Sequence, residues 1–343
     1  MLSLRISHVT DRLHPWLLTR TYTSSMVQKK VAIPAVGVGA VLAGGLVGRQ
    51  LVSAWRKNPD PLVGRPVRFP EGHQRFIDLP DGARISTITV GEGPIVVCVH
   101  GVTASRRDWA PMTPHLLEAG FQVIVVEQRG HGDSTVGTAG FGSGQLGDDL
   151  AVVLEVLDVR SATLMGQSMG GMAVMAFAVE HATVLAERIE RLVLIATAGA
   201  MSSSLQSVGL SLSGIEIPDA LDPADKRLRV GAGLLAFGAR PSLHMVDEAI
   251  AMFRRCSEPV RAAASPALKD HDVLDELRDL DIATLVIGGS RDQLIRPKQI
   301  DELAATIPNA RKQMFDGAGH MLIWERHREV AGLVTDFVRS TAP

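Results

Sequence analysis

One serine in this sequence lies in a glycine-rich segment of the kind that carries a reactive hydroxyl. It is Ser168, in the hexapeptide Gly166-Gln167-Ser168-Met169-Gly170-Gly171. This segment follows the apolar run Thr163–Met165 and precedes the helical run Met172–Val179. The pattern G-x-S-x-G between a strand and a helix is typical of a nucleophile elbow, where free amides and a partial positive charge lie beside the hydroxyl. We therefore predict Ser168 to be a catalytic nucleophile. The alternative is an incidental serine in a glycine-rich turn.

A serine hydroxyl is a poor nucleophile until a base takes its proton. The predicted base is His320, in Asp316-Gly317-Ala318-Gly319-His320, which follows the last predicted strand. A histidine among glycines just past a strand end belongs at the same sheet edge as Ser168. The alternative is a structural histidine held by hydrogen bonds.

The base needs a carboxylate that fixes its tautomer and stabilises the imidazolium. Asp292 also follows a predicted strand, Leu285–Ile287, through a short glycine-containing segment. The chain order Ser168, Asp292, His320 is one in which such triads occur. The alternative for Asp292 is a turn or helix-cap residue, and Asp316 and Glu127 are the next candidates for the orienting acid.

An oxyanion formed by attack of Ser168 needs hydrogen-bond donors already in place. The N–H of Met169 is one predicted donor. The other is the N–H of Val102, in the loop after the run Ile95–Val99, where Gly101 lets the backbone come close. His100 in the same loop is interpreted as a structural support rather than as a base.

The hydrophobic pattern predicts the elements that must position these residues. Two segments joined by Asp81-Gly82 predict a hairpin, and six short apolar runs then alternate with amphipathic stretches. The predicted strands are Gln74–Leu79, Ala83–Val90, Ile95–Val99, Gln122–Val126, Thr163–Met165, Leu192–Ala196, Leu285–Ile287 and Lys312–Phe315. Short apolar strands separated by helices indicate a mostly parallel sheet covered on both faces.

The alternation stops between about residues 200 and 270, where helical patterns replace strands. We predict a helical cap over 200–270 and a core over 65–199 and 271–343. Because ligands bind at the carboxyl ends of strands in open α/β sheets, such a cap would cover the site.

Composition excludes several classes of function. The chain has 343 residues, 46% of them hydrophobic and 21% charged, which excludes a disordered or fibrous protein. A net charge of −2 without a basic stripe gives nucleic-acid binding no support. The two cysteines, Cys98 and Cys256, form no ligand pattern for zinc, and Cys98 is expected in the core.

The first 64 residues are predicted to be a targeting or anchor segment with a linker. Residues 31–48 form an uncharged run of 18, flanked by Lys29, Lys30 and Arg49. A helix of that length spans about 27 Å, slightly less than a bilayer core. A membrane anchor is one interpretation. The others are a signal peptide cleaved near Ala54, which would give a secreted protein, and an apolar arm on the domain surface, which would leave the protein cytoplasmic.

Together these motifs resemble the α/β-hydrolase superfamily. The resemblance covers about residues 74 to 341, and the serine segment with its helical cap is similar to bacterial monoacylglycerol-lipase-like and carboxylesterase members. It rests on His100-Gly101, on Gln128-Arg129-Gly130-His131-Gly132-Asp133-Ser134, on the Ser168 elbow, on Asp292 and on Gly317-Ala318-Gly319-His320. Glu127 stands where relatives more often have Asp, and Gln167 where lipases often have His. The resemblance implies an eight-stranded, mostly parallel sheet flanked by helices with a helical cap, and no cofactor.

The expected function is hydrolysis of a carboxylic ester with an apolar acyl chain. Serine at the elbow argues against relatives that use a carboxylate nucleophile. The same triad serves C–C bond hydrolases, thioesterases and amidases, and substrate choice among them resides in the cap. A binding protein on this fold would need a broken triad, whereas this triad is intact by residue type.

Overall fold

The computed structural model of the chain describes residues 45–62, 67–201 and 225–340. Residues 31–44 of the predicted apolar run and residues 202–224 of the predicted cap lie outside the described residues. In the part of the chain that is described, no single helix has the length and hydropathy needed to cross a membrane.

The core of the described structure is one eight-stranded sheet in the order β1-β2-β4-β3-β5-β6-β7-β8. The strands are β1 His73–Asp78, β2 Arg84–Val90, β3 Ile95–Val99, β4 Gln122–Glu127, β5 Ala162–Gln167, β6 Ile189–Ile195, β7 Ala283–Gly289 and β8 Arg311–Phe315. Strand β2 runs antiparallel to β1 and β4, and the other neighbouring strands are parallel. The predicted fold, a mostly parallel sheet of eight strands, is confirmed.

Both faces of the sheet are buried along its central strands, which explains why β3 and β4 are apolar over most of their length, whereas the edge strands β1 and β8 are largely exposed. Along β3, Val96 and Cys98 belong to one hydrophobic cluster, whereas Val97 and Val99 belong to the other. Successive side chains of a strand point to opposite faces, so a strand covered on both sides is apolar at every position. Cys98 is fully buried, as the sequence pattern predicts.

Helices pack on both faces of the sheet. In chain order they are α1 Gly45–Trp55, α2 Thr113–Glu118, α3 Ser143–Val156, α4 Met169–Glu180, α5 Ala182–Arg188, α6 Lys226–Ala236, α7 Leu243–Arg255, α8 Glu258–Lys269, α9 Pro297–Thr306, α10 Leu322–Glu325 and α11 His327–Arg339. Helix α4 follows β5 directly and is buried along most of its length. Its burial fixes the turn between β5 and α4 in the centre of the sheet.

Helices α6, α7 and α8 form the described part of the cap. The chain enters and leaves this region through two neighbouring segments that are hydrogen-bonded to each other. The Met201 N–H donates to the His271 carbonyl at 2.9 Å, and the Val273 N–H donates to the Gly199 carbonyl at 2.9 Å. The cap is therefore inserted between β6 and β7 at a narrow neck.

Helix α1 and the segment after it pack on the cap and the core. Val52, Trp55 and Leu62 are buried in one core cluster. The Asn58 amide donates to the Pro241 carbonyl at 2.8 Å, and the Ser242 hydroxyl donates to Asp60 at 3.0 Å. The predicted domain boundary near residue 65 falls at 63–66, which lie outside the described residues. Residues 52–62, which precede this boundary, already contact the cap and the core.

Candidate active site

Ser168 occupies the turn between β5 and α4 in a backbone conformation that side chains rarely adopt. Its φ is 53° and its ψ is −120°. The structure holds this strained conformation through close packing of the neighbouring glycines. A side chain at Gly170 would collide with the carbonyls of Val99 and His100, and one at Gly166 would collide with the Gly170 backbone. The glycines of the predicted elbow are therefore required by space as well as by backbone geometry.

Two hydrogen bonds tie the Ser168 backbone to the end of β6. The Ser168 N–H donates to the Ile195 carbonyl at 3.0 Å. The Thr197 hydroxyl donates to the Ser168 carbonyl at 2.8 Å. Since both partners belong to the neighbouring strand or its end, the serine is fixed relative to the sheet edge where β6 and β7 also end.

His320 and Asp292 form a buried hydrogen-bonded pair. The His320 Nδ1 lies 2.9 Å from Asp292 Oδ2, and both side chains are almost fully buried. A carboxylate only accepts hydrogen bonds when ionised, so His320 Nδ1 carries the proton and Nε2 has its lone pair free. The other oxygen, Asp292 Oδ1, accepts from the N–H groups of Leu294 and Ile295 at 2.8 and 2.9 Å. Asp292 is thus both a turn residue and the partner of the imidazole.

Backbone contacts bring the serine, aspartate and histidine loops together. The Arg291 N–H donates to the Ala318 carbonyl at 2.8 Å, which joins the loops of Asp292 and His320. The amide of Gln167, the residue before Ser168 in the chain, donates to the His320 carbonyl at 3.4 Å. Within the described residues Ser168 Oγ and His320 Nε2 form no hydrogen bond. Such bonds are often long in a substrate-free enzyme and tighten when substrate binds.

The loop after β3 lies against the elbow. A side chain at Gly101 would overlap the Gln167 amide and would lie 3.3 Å from Ser168 Cβ. In the described part of the chain, the N–H groups of Val102 and Met169 donate to no protein atom. Two unused amides beside Ser168 are the arrangement that an oxyanion hole requires.

Two buried histidines support this loop. His100 Nε2 accepts from the Gln128 N–H at 3.1 Å, and its Nδ1 lies 2.7 Å from the Gly101 carbonyl. His131 Nε2 accepts from the Thr103 N–H at 3.3 Å. Burial lowers the pKa of His100 to about 3, so its ring is neutral. His100 has both ring nitrogens engaged in the loop, which fits its interpretation as a support rather than a base.

The two other acids considered for the orienting role have different partners. Glu127 forms an ion pair with Arg106 at 2.8 Å and accepts from the Asp133 N–H at 3.0 Å. Asp316 accepts from the Ser290 hydroxyl at 2.9 Å. Of these three acids, Asp292 is the one that the structure brings to His320.

Asp108 is a buried carboxylate near the site that the sequence reasoning missed. The Trp324 indole N–H lies 3.0 Å from Asp108 Oδ1, and the Gly101 N–H also donates to this carboxylate. Burial raises the pKa of Asp108 to about 6, although these hydrogen bonds and nearby His320 act in the opposite direction. The only sequence signal was its position beside Trp109 in the loop that carries Val102.

Glu325 is a second carboxylate that the sequence reasoning missed. Its Oε1 accepts from the Gly319 N–H at 2.8 Å, and its Oε2 accepts from the Gly238 N–H at 2.9 Å. Gly238 lies just after cap helix α6. Two further backbone bonds join the same segments, from Ala239 to Gly317 at 2.8 Å and from Met321 to Ala236 at 2.9 Å. The loop of His320 is therefore bonded directly to the cap.

Three carboxylates determine the protonation of His320. Burial of the imidazole by itself lowers the pKa of His320, but Asp292, Asp108 and Glu325 outweigh burial and raise that pKa above its ordinary value. A base whose pKa lies near the working pH combines availability with proton affinity. The site is therefore arranged to accept a proton at His320 Nε2 and to stabilise the resulting imidazolium.

One group of three side chains among the described residues has ligand atoms close enough to share a metal ion. It consists of Asp148, Glu180 and His181, with ligand atoms within 4.8 Å of one another. The group is largely exposed and lies at the opposite end of α4 from Ser168. It takes no part in the arrangement around the serine.

Comparisons with known proteins agree with this architecture. A family model described as the alpha/beta hydrolase fold matches residues 94–229 and 262–327. The chain is 30% identical over 263 residues to BpoC of Mycobacterium tuberculosis, which carries the name of a non-heme bromoperoxidase, covering 73% of this chain and 95% of that protein. It is 28% identical over 282 residues to a 2-hydroxy-6-oxononadienedioate/2-hydroxy-6-oxononatrienedioate hydrolase of Cupriavidus pinatubonensis, covering 78% of this chain and 96% of that protein.

A solved structure has the same fold. The esterase EaEST from Exiguobacterium antarcticum superposes with a TM-score of 0.69 at 21% identity, covering 78% of this chain and 100% of that one. At this identity the likeness concerns the fold alone. The family model, however, spans more than half of the chain and includes the segments that carry Ser168, Asp292 and His320. This chain belongs to the alpha/beta hydrolase family.

Proposed function

We propose that this protein hydrolyses carboxylic esters through Ser168, His320 and Asp292. The observation that carries the proposal is the buried 2.9 Å bond between His320 and Asp292 beside a serine held at a φ of 53°. The free amides of Val102 and Met169 support it, because acyl transfer passes through an oxyanion that needs such donors.

The reaction follows from this geometry. Ser168 Oγ attacks the ester carbonyl carbon while His320 Nε2 takes the hydroxyl proton. The oxyanion accepts hydrogen bonds from the N–H groups of Val102 and Met169. Its collapse breaks the ester C–O bond, and the leaving alkoxide takes the proton from His320. Water then attacks the acyl-enzyme with the same base, which releases the carboxylic acid and restores Ser168.

We propose an apolar acyl chain as the preferred substrate group. Of the apolar cap residues that the structure describes, Phe237 and Met252 are buried in the core and serve packing. Leu235 is half-buried on the cap, so part of its side chain is available to an acyl chain. The apolar composition of the cap therefore supports the preference for an uncharged acyl chain.

A C–C bond hydrolase is the second candidate, since one relative carries that activity in its name. Its named substrate is a dioate, which bears two carboxylates and needs cationic partners. The buried Arg129 is already bound to Asp149 at 2.6 Å and to Asp81 at 2.9 Å. This guanidinium is therefore occupied by acids of the chain and offers no partner to a dioate.

The test combines active-site labelling with a substrate series. A fluorophosphonate should label the wild-type protein and not Ser168→Ala, and p-nitrophenyl esters of increasing acyl length should be turned over with a preference above acetate. The dienedioate should be turned over poorly or not at all. Absence of both labelling and ester turnover in folded protein would overturn the proposal. Faster turnover of the dienedioate than of any ester would replace it with the second candidate.

A further inference from the structure

Helix α1 connects the apolar run of the sequence to the cap. The run covers residues 31–48, and its last four residues form the first turn of α1. Helix α1 then continues to Trp55, about 10 Å further along its axis from Gly48. A membrane that binds the apolar run would therefore lie within a few helical turns of the part of the protein that α1 packs against.

The partner of α1 is cap helix α6. Gly48, Val52 and Trp55 share one face of α1, because residues four and three apart lie above one another on a helix. A methyl group at Gly48 would lie 3.6 Å from the Val230 side chain, and Gly233 is packed against the Trp55 ring. Val52 and Trp55 are both buried. The cap is thus attached to the segment that continues the apolar run.

The outer sides of these two helices carry charge of one sign. We call the exposed side chains of residues 49–57 and 226–240 the cap surface. Every exposed charged residue in it is basic; these are Arg49, Arg56, Lys57, Lys226, Arg227 and Arg240. None of the six forms an ion pair within the described structure, although the whole chain has a net charge of −2. Leu234 lies on the same face of α6 as Arg227 and is 55% exposed.

We propose that the cap surface lies against an anionic lipid bilayer, held there by membrane insertion of the apolar run where it precedes α1. Clustered basic side chains beside a membrane-inserted segment are attracted to anionic headgroups, and an exposed leucine among them can enter the interface. A partner protein would not need an apolar run of membrane length, and a nucleic acid would not need Leu234. The bilayer is the one partner that uses all three features.

This orientation also concerns the substrate, and that part rests on the proposed ester hydrolysis. Gly238 and Ala239, just after α6, are bonded to the loop of His320. A cap placed on the bilayer brings the cap end of the site to the lipid, so the enzyme would take esters that are dissolved in or attached to the membrane.

The experiment measures whether Leu234 meets lipid in the full chain. The variant Leu234→Cys is labelled with the environment-sensitive dye NBD and reconstituted in phosphatidylglycerol vesicles. The control Val156→Cys places the dye on α3, on the other face of the sheet, at a valine that is 49% exposed. The native Cys98 and Cys256 are buried, and labelled wild-type protein gives the background.

We expect a blue-shifted emission at position 234, quenched by lipids brominated near the headgroup, and neither effect at position 156. Reversing two charges, with Lys226→Glu and Arg227→Glu, should reduce the lipid contact of the dye at position 234, measured as its quenching by brominated lipids, at least about tenfold. Replacing phosphatidylglycerol with phosphatidylcholine should reduce this quenching in the same way. Equal emission at the two positions, or release of the protein from vesicles by carbonate, would overturn the proposal.

Fluorophosphonate labelling of the same samples separates the two proposals. Leu234, Lys226 and Arg227 lie outside the catalytic machinery, so labelling of Ser168 should be unchanged in these variants. Absence of lipid contact at position 234 in phosphatidylglycerol vesicles, with full fluorophosphonate labelling of Ser168, contradicts the membrane proposal alone. Lipid contact of the dye at position 234 without fluorophosphonate labelling of Ser168 contradicts the proposed hydrolysis alone.

Discussion

The Glu325 carboxylate accepts a hydrogen bond from the Gly319 amide at 2.8 Å, immediately before His320 in the chain. Its other oxygen accepts from Gly238 in the segment that follows α6. This side chain therefore bridges the histidine loop and the cap, beside the two backbone hydrogen bonds that join the same segments. Because the carboxylate also raises the pKa of His320, it affects both the position and the basicity of the base.

Glu325→Ala is expected to lower kcat about tenfold and to reduce the free energy of unfolding by about 2 kcal/mol, since two hydrogen bonds to a charged acceptor are lost. Glu325→Gln keeps one acceptor and should recover part of the stability. Both variants should move the acidic limb of the kcat/KM profile to lower pH, because an anion near His320 is removed. An unmoved limb in both variants would assign Glu325 a purely structural role.

The pH dependence of activity should follow the protonation of His320. In the proposed reaction the neutral ring is the base, so kcat/KM should rise with pH and reach half its maximum above the ordinary histidine value, as the raised pKa requires. Asp108→Asn removes a second nearby anion and should move that midpoint to lower pH. Profiles measured with a p-nitrophenyl ester provide the check, and a midpoint shifted upward in Asp108→Asn would contradict the arrangement.

The same two groups contribute to the pH dependence of stability. The folded pKa of His320 is raised, so its contribution is present below the unfolded value of about 6.5 and is lost as pH rises through the folded pKa. The folded pKa of Asp108 is raised from 3.8 to about 6, so its contribution is present below pH 3.8 and is lost by about pH 6. Urea unfolding should show the Asp108 part of this slope disappear in Asp108→Asn.

Ser168→Gly is expected to be inactive but more stable than the wild type. A residue with a side chain pays strain of about 1–3 kcal/mol at such a backbone conformation, whereas glycine adopts it freely and loses about 0.5–1 kcal/mol through chain entropy. The net gain should be about 1 kcal/mol in thermal or urea unfolding. Ser168→Ala is the matched control, since it removes the same hydroxyl and keeps the Cβ. Equal stability of the two variants would mean that the strain is absent.

Gly101→Ala should impair the oxyanion site. The added methyl overlaps the Gln167 amide and crowds Ser168 Cβ, so the Val102 amide must move away from the serine. Loss of one oxyanion donor lowers kcat by roughly 100- to 1000-fold. The control is Gly142→Ala, where nothing lies within 4 Å of the added methyl. We expect near-normal kcat in that variant, and similar kcat values in both would contradict the role of the loop.

Gly332→Ala should stabilise the fold without affecting activity. Gly332 lies inside α11 at an exposed position, and an added methyl meets no atom within 4 Å. Alanine is more favourable than glycine in a helix interior by about 1 kcal/mol. A denaturant titration should show this gain, while kcat with a p-nitrophenyl ester should stay within error of the wild type.

The sequence pattern was sufficient for the sheet and for the three loops that carry Ser168, Asp292 and His320. Central strands covered on both faces are apolar at most positions, which made them readable from the pattern. Each predicted run corresponds to a strand, and boundaries differ by a few residues where polar residues such as Gln167 extend the hydrogen-bonded ladder. The order of strands places the loops of Ser168, Asp292 and His320 at one edge. The catalytic roles of these residues stay predictions until the proposed variants are measured.

The contacts that the sequence pattern could not supply are those between distant segments with no periodic signal. Asp108 reaches Trp324 across 216 positions of the chain, and Glu325 reaches Gly238 across 87. Each depends on how a loop folds back, which hydrophobic spacing does not encode. The sequence analysis predicted Asp292 ahead of Glu127 and Asp316, but the contact with His320 that supports this choice came from the structure.

Because the cap is joined to the core only through the neck formed by residues 199–201 and 271–273 on the described chain path, the cap could be replaced as a unit. Its two ends are already hydrogen-bonded to each other, so a different stretch of chain could be spliced between them without rerouting the strands on either side. Any replacement would still have to present a backbone amide where Gly238 now meets Glu325. New substrate ranges could therefore arise by grafting alone, provided that the hydrogen bonds between residues 236–239 and the histidine loop are kept.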